Sequence, residues 1–325
     1  MKLPRRHFLQ LATGAAALPP VSLIARAQSY PSRPVHLLVG FAAGGPNDII
    51  ARLIGQWLSE RLGQPVIVEN RPGAASNIAA EALVKAPPDG YTLLLLGSTN
   101  AINATLYEKL SFNLSRDIAP VASIIRQPNV MLVNPSVPAK AVPEFIAYAK
   151  ANPGKINMAS SGNGSASHVC GELFKTMAGV NMVHVPYRGG APALTDLLAG
   201  QVQVYFVPIP ASIEYIRTGR LRALAVTTAT RSETLPETST VDEFVPGYEA
   251  SGWFGVVAPG NTPAAVIEKL NKEINAGLAD PKLKAKLTDL GGTVISGSPA
   301  DFGKLIAEEI EKWAKVIKFA GIKPD

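Results

Sequence analysis

Two kinds of apolar pattern alternate along the chain. Short unbroken runs, VHLLVGFA (35–42), PVIVEN (65–70) and YTLLLLGS (91–98), have the length of strands buried on both faces. Between them, apolar positions recur three and four apart. NDIIARLIGQWLSERLG sets Ile49, Ile50, Leu53, Ile54, Trp57, Leu58 and Leu62 on one helical face and stops at Gly63. ASNIAAEALVKAPPDG predicts a second helix closed by proline and a turn. The order βαβαβ predicts a parallel sheet covered by helices on both faces.

The pattern then starts again. AVPEFIAYAKANPG, SASHVCGELFKTMAG, APALTDLLAG and ASIEYIRTG predict helices, and INMASS, VNMVHVPY, QVQVYFVP and RLRALAVTT predict strands between and after them. The tail adds the strand SGWFGVVAPG, three amphipathic helices and a short strand, TVIS. The last helix carries Phe302, Leu305, Ile306, Ile310, Trp313, Val316 and Ile317 on one face, and Glu308, Glu309, Glu311 and Lys312 are expected on the solvated face opposite. The expected fold class is α/β in two lobes, with the chain crossing between them twice, through PVASIIRQPNVMLV and YEASGWFGVV. The corresponding boundaries are 28–124 for the first part of lobe 1, 125–250 for lobe 2 and 251–325 for the return to lobe 1.

Residues 1–27 fit neither pattern. Lys2, Arg5 and Arg6 precede an apolar stretch from Phe8 to Ile24, and Ala25-Arg26-Ala27 has the small-x-small form of a cleavage site. This predicts a secretory signal cut after Ala27 and a periplasmic mature protein. Arg5-Arg6 followed by His7-Phe8-Leu9 is similar to a twin-arginine signal, although Pro4 and Gln10 leave the general secretory route open. The signal changes the meaning of the formal charge of +6: removing its four basic residues from 31 leaves 27 against 25 acidic residues. A nucleic-acid partner is therefore not expected. The one cysteine, Cys170, allows no internal disulfide, and no His or Cys spacing suits a metal, so no metal or cofactor is expected.

Three polar loops follow predicted strands, where open α/β sheets bind ligands. GFAAGGPND (40–48) has a Gly-Gly-Pro turn and, in Asn47 or Asp48, a helix cap; it suits a carboxylate or phosphate but lacks the Gly-Lys-Ser/Thr of a P-loop. GSTNAIN (97–103) offers Ser98, Thr99 and Asn100. SSGNGSASH (160–168) packs four serines, two glycines, an asparagine and a histidine between a strand and a helix. No G-x-S-x-G surrounds Ser165, nothing orients His168 as a base, and Cys170 lies among apolar neighbours, so no catalytic residue is expected. His36 and His184, inside apolar strand runs, read as structural.

Five segments in order carry a family resemblance: YPSRPVHLLVGFAAGGPNDIIARLI, VENRPGAASNIAAEALVKAPPDGYTLLLL, SSGNGSASHVCGELF, VPYRGGAPALTDLLAGQV and SGWFGVVAPGNTP. Together they make the chain similar to the Bug receptors, the periplasmic solute-binding proteins of tripartite tricarboxylate transporters. The resemblance implies a Venus-flytrap fold closing on a small organic carboxylate, membrane transporter subunits as partners, and a monomer. It implies ligand contacts from Phe41, Ala42, Gly44, Gly45 and Asp48, joined by Ser98, Thr99 and Asn100, on one lobe. The other lobe would supply Ser160, Gly162, Gly164, Ser165, His168 and Val207. Family members commonly carry an aromatic and Asp-Asn where VYFVPIP has Val207 and Pro208, and the missing acid disfavours an amino-acid ligand. A ligand-presenting sensor for a membrane kinase and a secreted hydrolase are the alternative readings.

Overall fold

The computed structural model describes residues 30–107 and 109–324, so the export signal lies outside the described residues. One six-stranded sheet takes β1 (Val35–Val39), β2 (Val66–Asn70), β3 (Thr92–Gly97) and β4 (Ile118–Gln127). A five-stranded sheet takes β5 (Asn129–Val133), β6 (Asn157–Ser160), β7 (Val183–Pro186), β8 (Val204–Pro208) and β9 (Arg222–Val226). The chain then returns to the first sheet as β10 (Gly252–Pro259) and β11 (Thr293–Val294). The strand orders are β11-β4-β10-β3-β1-β2 and β7-β6-β8-β5-β9.

Helices α1 (Pro46–Leu62), α2 (Asn77–Val84) and α3 (Ser98–Leu106) follow β1, β2 and β3, and a short α4 (Leu114–Asp117) precedes β4. The second sheet carries α5 (Val142–Ala151), α6 (Ala166–Ala178), α7 (Gly190–Leu198) and α8 (Ile213–Arg217). The tail forms α9 (Ala264–Ala279), α10 (Pro281–Asp289) and α11 (Pro299–Ala320).

The continuous apolar runs are explained by burial on both sheet faces. In β3, Leu93 and Leu95 enter one core with α1 and α9, whereas Leu94 and Leu96 enter another with α2 and α3. In β5, Val130 and Leu132 face α7, and Met131 and Val133 turn to the opposite core. That last core is continuous between the sheets: Leu96 and Ile102 of the first share it with Phe145, Phe174 and Phe206 of the second. On α1 the buried stripe is Ile50, Ala51, Ile54 and Leu58, and Ile49, expected on it, is 38% exposed.

Neither sheet is wholly parallel. β10 runs antiparallel to β3 and β4, and β5 antiparallel to β8 and β9. The cause is the crossing. Gln127 ends β4 and Asn129 begins β5, and Gly252 begins β10 beside Gln127. Each arriving strand enters at the carboxyl ends of the parallel strands and has to run backwards. The first sheet thus keeps Ile125, Arg126 and Gln127, three residues past position 124, and the passage to the second sheet is Pro128.

Helix α11 binds the two sheets together, packing on α3 and β4 and also on α6. Glu309, expected on its solvated face, is 5% exposed. Its carboxylate accepts the indole N–H of Trp253 at 3.0 Å and of Trp313 at 2.9 Å, and it pairs with Lys312. Lys312 also reaches Glu249 at 2.9 Å, and Glu249 binds Arg126 at 3.0 Å. Burial pushes the Glu249 carboxyl up, but Lys312, the Ser251 hydroxyl and Arg126 more than offset it, and the group stays below its usual range. We predict that Glu249→Ala, which leaves two half-buried cations unpaired, costs about 2–3 kcal/mol. A lowered urea midpoint with an unchanged slope is the expected reading; an unmoved midpoint would make the network incidental.

Candidate functional site

The crossings fix where the site lies. Asn129 pairs with Pro208 at the carboxyl end of β8, and Gly252 pairs with Gln127 at the carboxyl end of β4. The carboxyl ends of the parallel strands in both sheets therefore turn toward the same junction. The loops after β1, β2 and β3 leave from one side of it, and those after β6, β7 and β8 from the other.

In the first loop, Ala42 and Gly44 are exposed, Gly45 is half-buried, and Phe41 packs its ring on the β1/α1 core. Gly44 has φ +82°, in the left-handed region where glycine is favoured. Gly45, with φ −81°, is the residue that caps α1, so neither Asn47 nor Asp48 is the cap. Asp48 is instead the loop's internal tie. Its carboxylate accepts Gly44 N–H at 2.9 Å, Arg52 Nε at 2.9 Å and Asn70 Nδ2 at 2.9 Å, and Asn70 also donates to Phe41 O at 3.1 Å. The Arg52 hydrogen bond leads in lowering its pKa to about 2, against burial that raises it. With its lone pairs committed and 3% of its surface exposed, Asp48 shapes the loop and does not present itself to a ligand. Asn70, which sequence reasoning missed, shares that task; its only signal is a polar residue at the end of an apolar strand.

At β3 the chain enters α3 directly. Ser98 and Asn100 are buried and Thr99 is half-exposed. Asn100 Oδ1 accepts Gly97 N–H at 3.1 Å, closing the first turn of α3.

The second-lobe loop is a self-braced cradle. Ser165 caps α6: its Oγ accepts His168 N–H at 3.3 Å and donates to Gly162 O at 2.7 Å. Ser167 lies 3.0 Å from Ser165 Oγ and takes Ser161 N–H at 2.9 Å. Two histidines hold the ends. His184 Nε2 meets Ser160 Oγ at 2.6 Å, and His168 Nδ1 accepts Gly164 N–H at 3.1 Å. The rings stack with centroids 3.6 Å apart and planes 7° from parallel. Because a backbone N–H can only donate, His168 Nδ1 must carry a lone pair, and its ring proton sits on Nε2, 3.7 Å from Glu172. Gly164, with φ +67°, lies so close to Leu106 of α3 that an added Cβ would come within 2.2 Å of it. Ser161, Gly162 and Ser165 are half-exposed, whereas Ser160, Gly164 and His168 are buried supports.

Two further findings alter the expected set. Val207 is 2% exposed and packs in the core with Val130 and Ile209, so it is a core residue; Pro208 is the exposed residue at that strand end. The loop after β7 joins the cradle: Tyr187 N–H donates to Ser160 O at 3.0 Å, and Arg188 beside it is exposed. Its signal was the Gly-Gly after a strand in VPYRGG.

The hydroxyls are poor nucleophiles here. The Ser165 oxygen meets the backbone N–H of His168 and not its ring. Burial pushes the Cys170 thiol up to about 12, and it donates to Ala250 O at 3.3 Å. Among the described residues no group of His, Cys, Asp or Glu could hold a metal ion.

Two α/β lobes with polar strand-end loops facing one junction define a two-lobed solute-binding protein. The chain belongs to the tripartite tricarboxylate transporter receptors: the TctC family model matches residues 50–322. It is similar to Protein BugT of Bordetella pertussis, 37% identical over 300 residues that cover 91% of this chain and 92% of the relative. Among solved structures, Rpa4515 of R. palustris with adipate is 40% identical, with a TM-score of 0.77 over 91% of this chain and 100% of that one. The periplasmic binding protein BugD is 35% identical, with a TM-score of 0.73 and the same coverage. Members of this family are periplasmic solute-binding proteins.

Two predictions follow from the ties. The stability that Asp48 contributes is complete above its unfolded pKa near 4 and is lost as pH falls through about 2. Asp48→Asn should cost about 1–3 kcal/mol at neutral pH and flatten that acid limb in pH-dependent urea melts; an acid limb identical to wild type would refute the tie. His168→Phe keeps the stacked ring but strands the Gly164 N–H, at about 1–2 kcal/mol. The amide of Gly164 should then exchange with deuterium about tenfold faster, and unchanged protection would contradict the brace.

Proposed function

We propose that this chain is an exported solute-binding protein that captures a small organic carboxylate between its lobes and delivers it to the membrane subunits of a tripartite transporter, without altering it chemically. The observation that carries the reading is the convergence of the two polar cradles on the crossings. Residues 40–51 contain no lysine or arginine, and Arg52 is committed to Asp48. Charge on the ligand would be met by backbone N–H groups, hydroxyls and the amino-terminal end of α1. Binding of adipate by the similar Rpa4515 supports a carboxylate. In this reading the hinge runs through Pro128 and Ser251, and the segment ending at Ala27 is removed on export.

Calorimetry over a panel of organic acids, adipate included, tests it. A ligand at about a hundred times its Kd should add roughly 2.7 kcal/mol of stability, and it should be recovered intact. Gly45→Val is the informative variant. The glycine has ordinary φ, and a Cβ would sit 3.6 Å from Ala42 O, so the fold tolerates it. Its side chain should block approach to the loop amides and nearly abolish binding. Undiminished affinity in the folded variant would place the ligand elsewhere.

A further inference from the structure

The first lobe holds a second polar cluster, beside the first loop and outside the expected set except for Asn100. It is built where β1, β2 and β3 end. Ser76 and Asn77 open α2 after β2, and Asn100 lies in the first turn of α3 after β3. Ser76 sits hard against the end of β1: a Cβ on Gly40 would come within 1.9 Å of Ser76 Oγ. Asn103, one turn along α3 from Asn100, donates Nδ2 to Ala75 O at 2.7 Å and to Asn77 Oδ1 at 3.0 Å.

These bonds orient both amides. Asn77 Oδ1 is taken by Asn103 and Asn100 Oδ1 by Gly97 N–H, so each NH2 group is turned the other way. Asn77 Nδ2, Asn100 Nδ2 and Ser76 Oγ have no hydrogen-bond partner, although the three residues are only 8%, 4% and 1% exposed. The backbone is held in an unfavourable form to place them. Ala74, Ala75 and Ser76 have φ of 45°, 50° and 76°, three successive non-glycine residues in the left-handed region.

The chemistry of the cluster is one-sided. It offers two neutral NH2 donors whose own oxygens are occupied, one hydroxyl, and the amino-terminal ends of two helices. An acceptor oxygen bearing negative charge satisfies it, and an ammonium group finds only the Ser76 oxygen. We propose that Ser76, Asn77 and Asn100 form an oxyanion-accepting subsite that receives a second carboxylate of the ligand and so selects dicarboxylates over monocarboxylates and amino acids. This rests on the strand-end junction being the ligand site.

The test is calorimetry with straight-chain dicarboxylates from succinate to suberate, each against the monocarboxylate of equal length. Wild type should prefer the best dicarboxylate by about tenfold or more. Asn77→Asp and Asn100→Asp keep the side-chain shape and favour the helix starts, but replace a donor by a charged acceptor; each should erase that preference while changing monocarboxylate affinity less than about threefold. Ser76→Gly removes the hydroxyl and relieves the left-handed backbone, so it should hold or raise the melting temperature while weakening the dicarboxylate severalfold. A purely structural role predicts the reverse, with stability falling and both acid classes weakened alike. An unchanged preference ratio in the folded variants overturns the subsite and leaves the proposed function standing. A wild type that binds no acid in the panel overturns both.

Discussion

A buried ionic knot holds this molecule's two halves in register. Arg126 comes from the last residues before the first crossing, Glu249 from the last residues before the second, and Lys312 and Glu309 from α11. Burial alone would expel such charges. They persist because each is answered: Glu249 lies between two cations, and Glu309 takes two indole N–H groups in addition to Lys312. Beside the knot, Asn129 Nδ2 lies 3.5 Å from Cys170 Sγ, and Tyr248 donates to Cys170 O at 3.0 Å, so α6 is docked on the same crossings. The cysteine's burial and raised pKa follow from this place in the hinge, which makes it a packing residue.

With the crossings fixed, the placement of the loops follows. Arriving strands have to enter antiparallel at the carboxyl ends, which directs the polar loops of both sheets toward one junction. The two cradles are then built on a common principle: their titratable groups brace backbone. Asp48 ties Gly44, Asn70 and Arg52 together, and the stacked histidines hold Ser160 and Gly164. Groups that looked like ligand contacts are thereby spent on preorganisation, leaving backbone N–H groups and half-exposed hydroxyls at the surface. This arrangement suits an anion that must be released as readily as it is held.

How much of this was legible depends on range. The strands and helices could be read because apolar runs and three-to-four spacing report burial locally, and Gly63 and Ser165 sit where a helix stop and a cap belong. The three candidate loops could be read because small polar residues followed strands. Which members of those loops turn outward could not. Val207 and Pro208 are adjacent and equally plausible on paper, yet the pleat sends the first into the core with Val130 and leaves the second exposed.

The sequence by itself determined the alternation of elements, the two α/β units, the two passages between them and the family, since each is written in short-range pattern or in ordered motifs. Tertiary structure alone decided the antiparallel entry of β5 and β10, the burial of Glu309 and the roles of Asp48 and His168. It also decided the meeting of Asn77 with Asn100 and Asn103. The reason is physical: these depend on partners 22 to 123 residues away, such as Asn70 for Asp48 and Glu249 for Arg126, and a carboxylate or an amide carries no local sign of which distant donor will claim it.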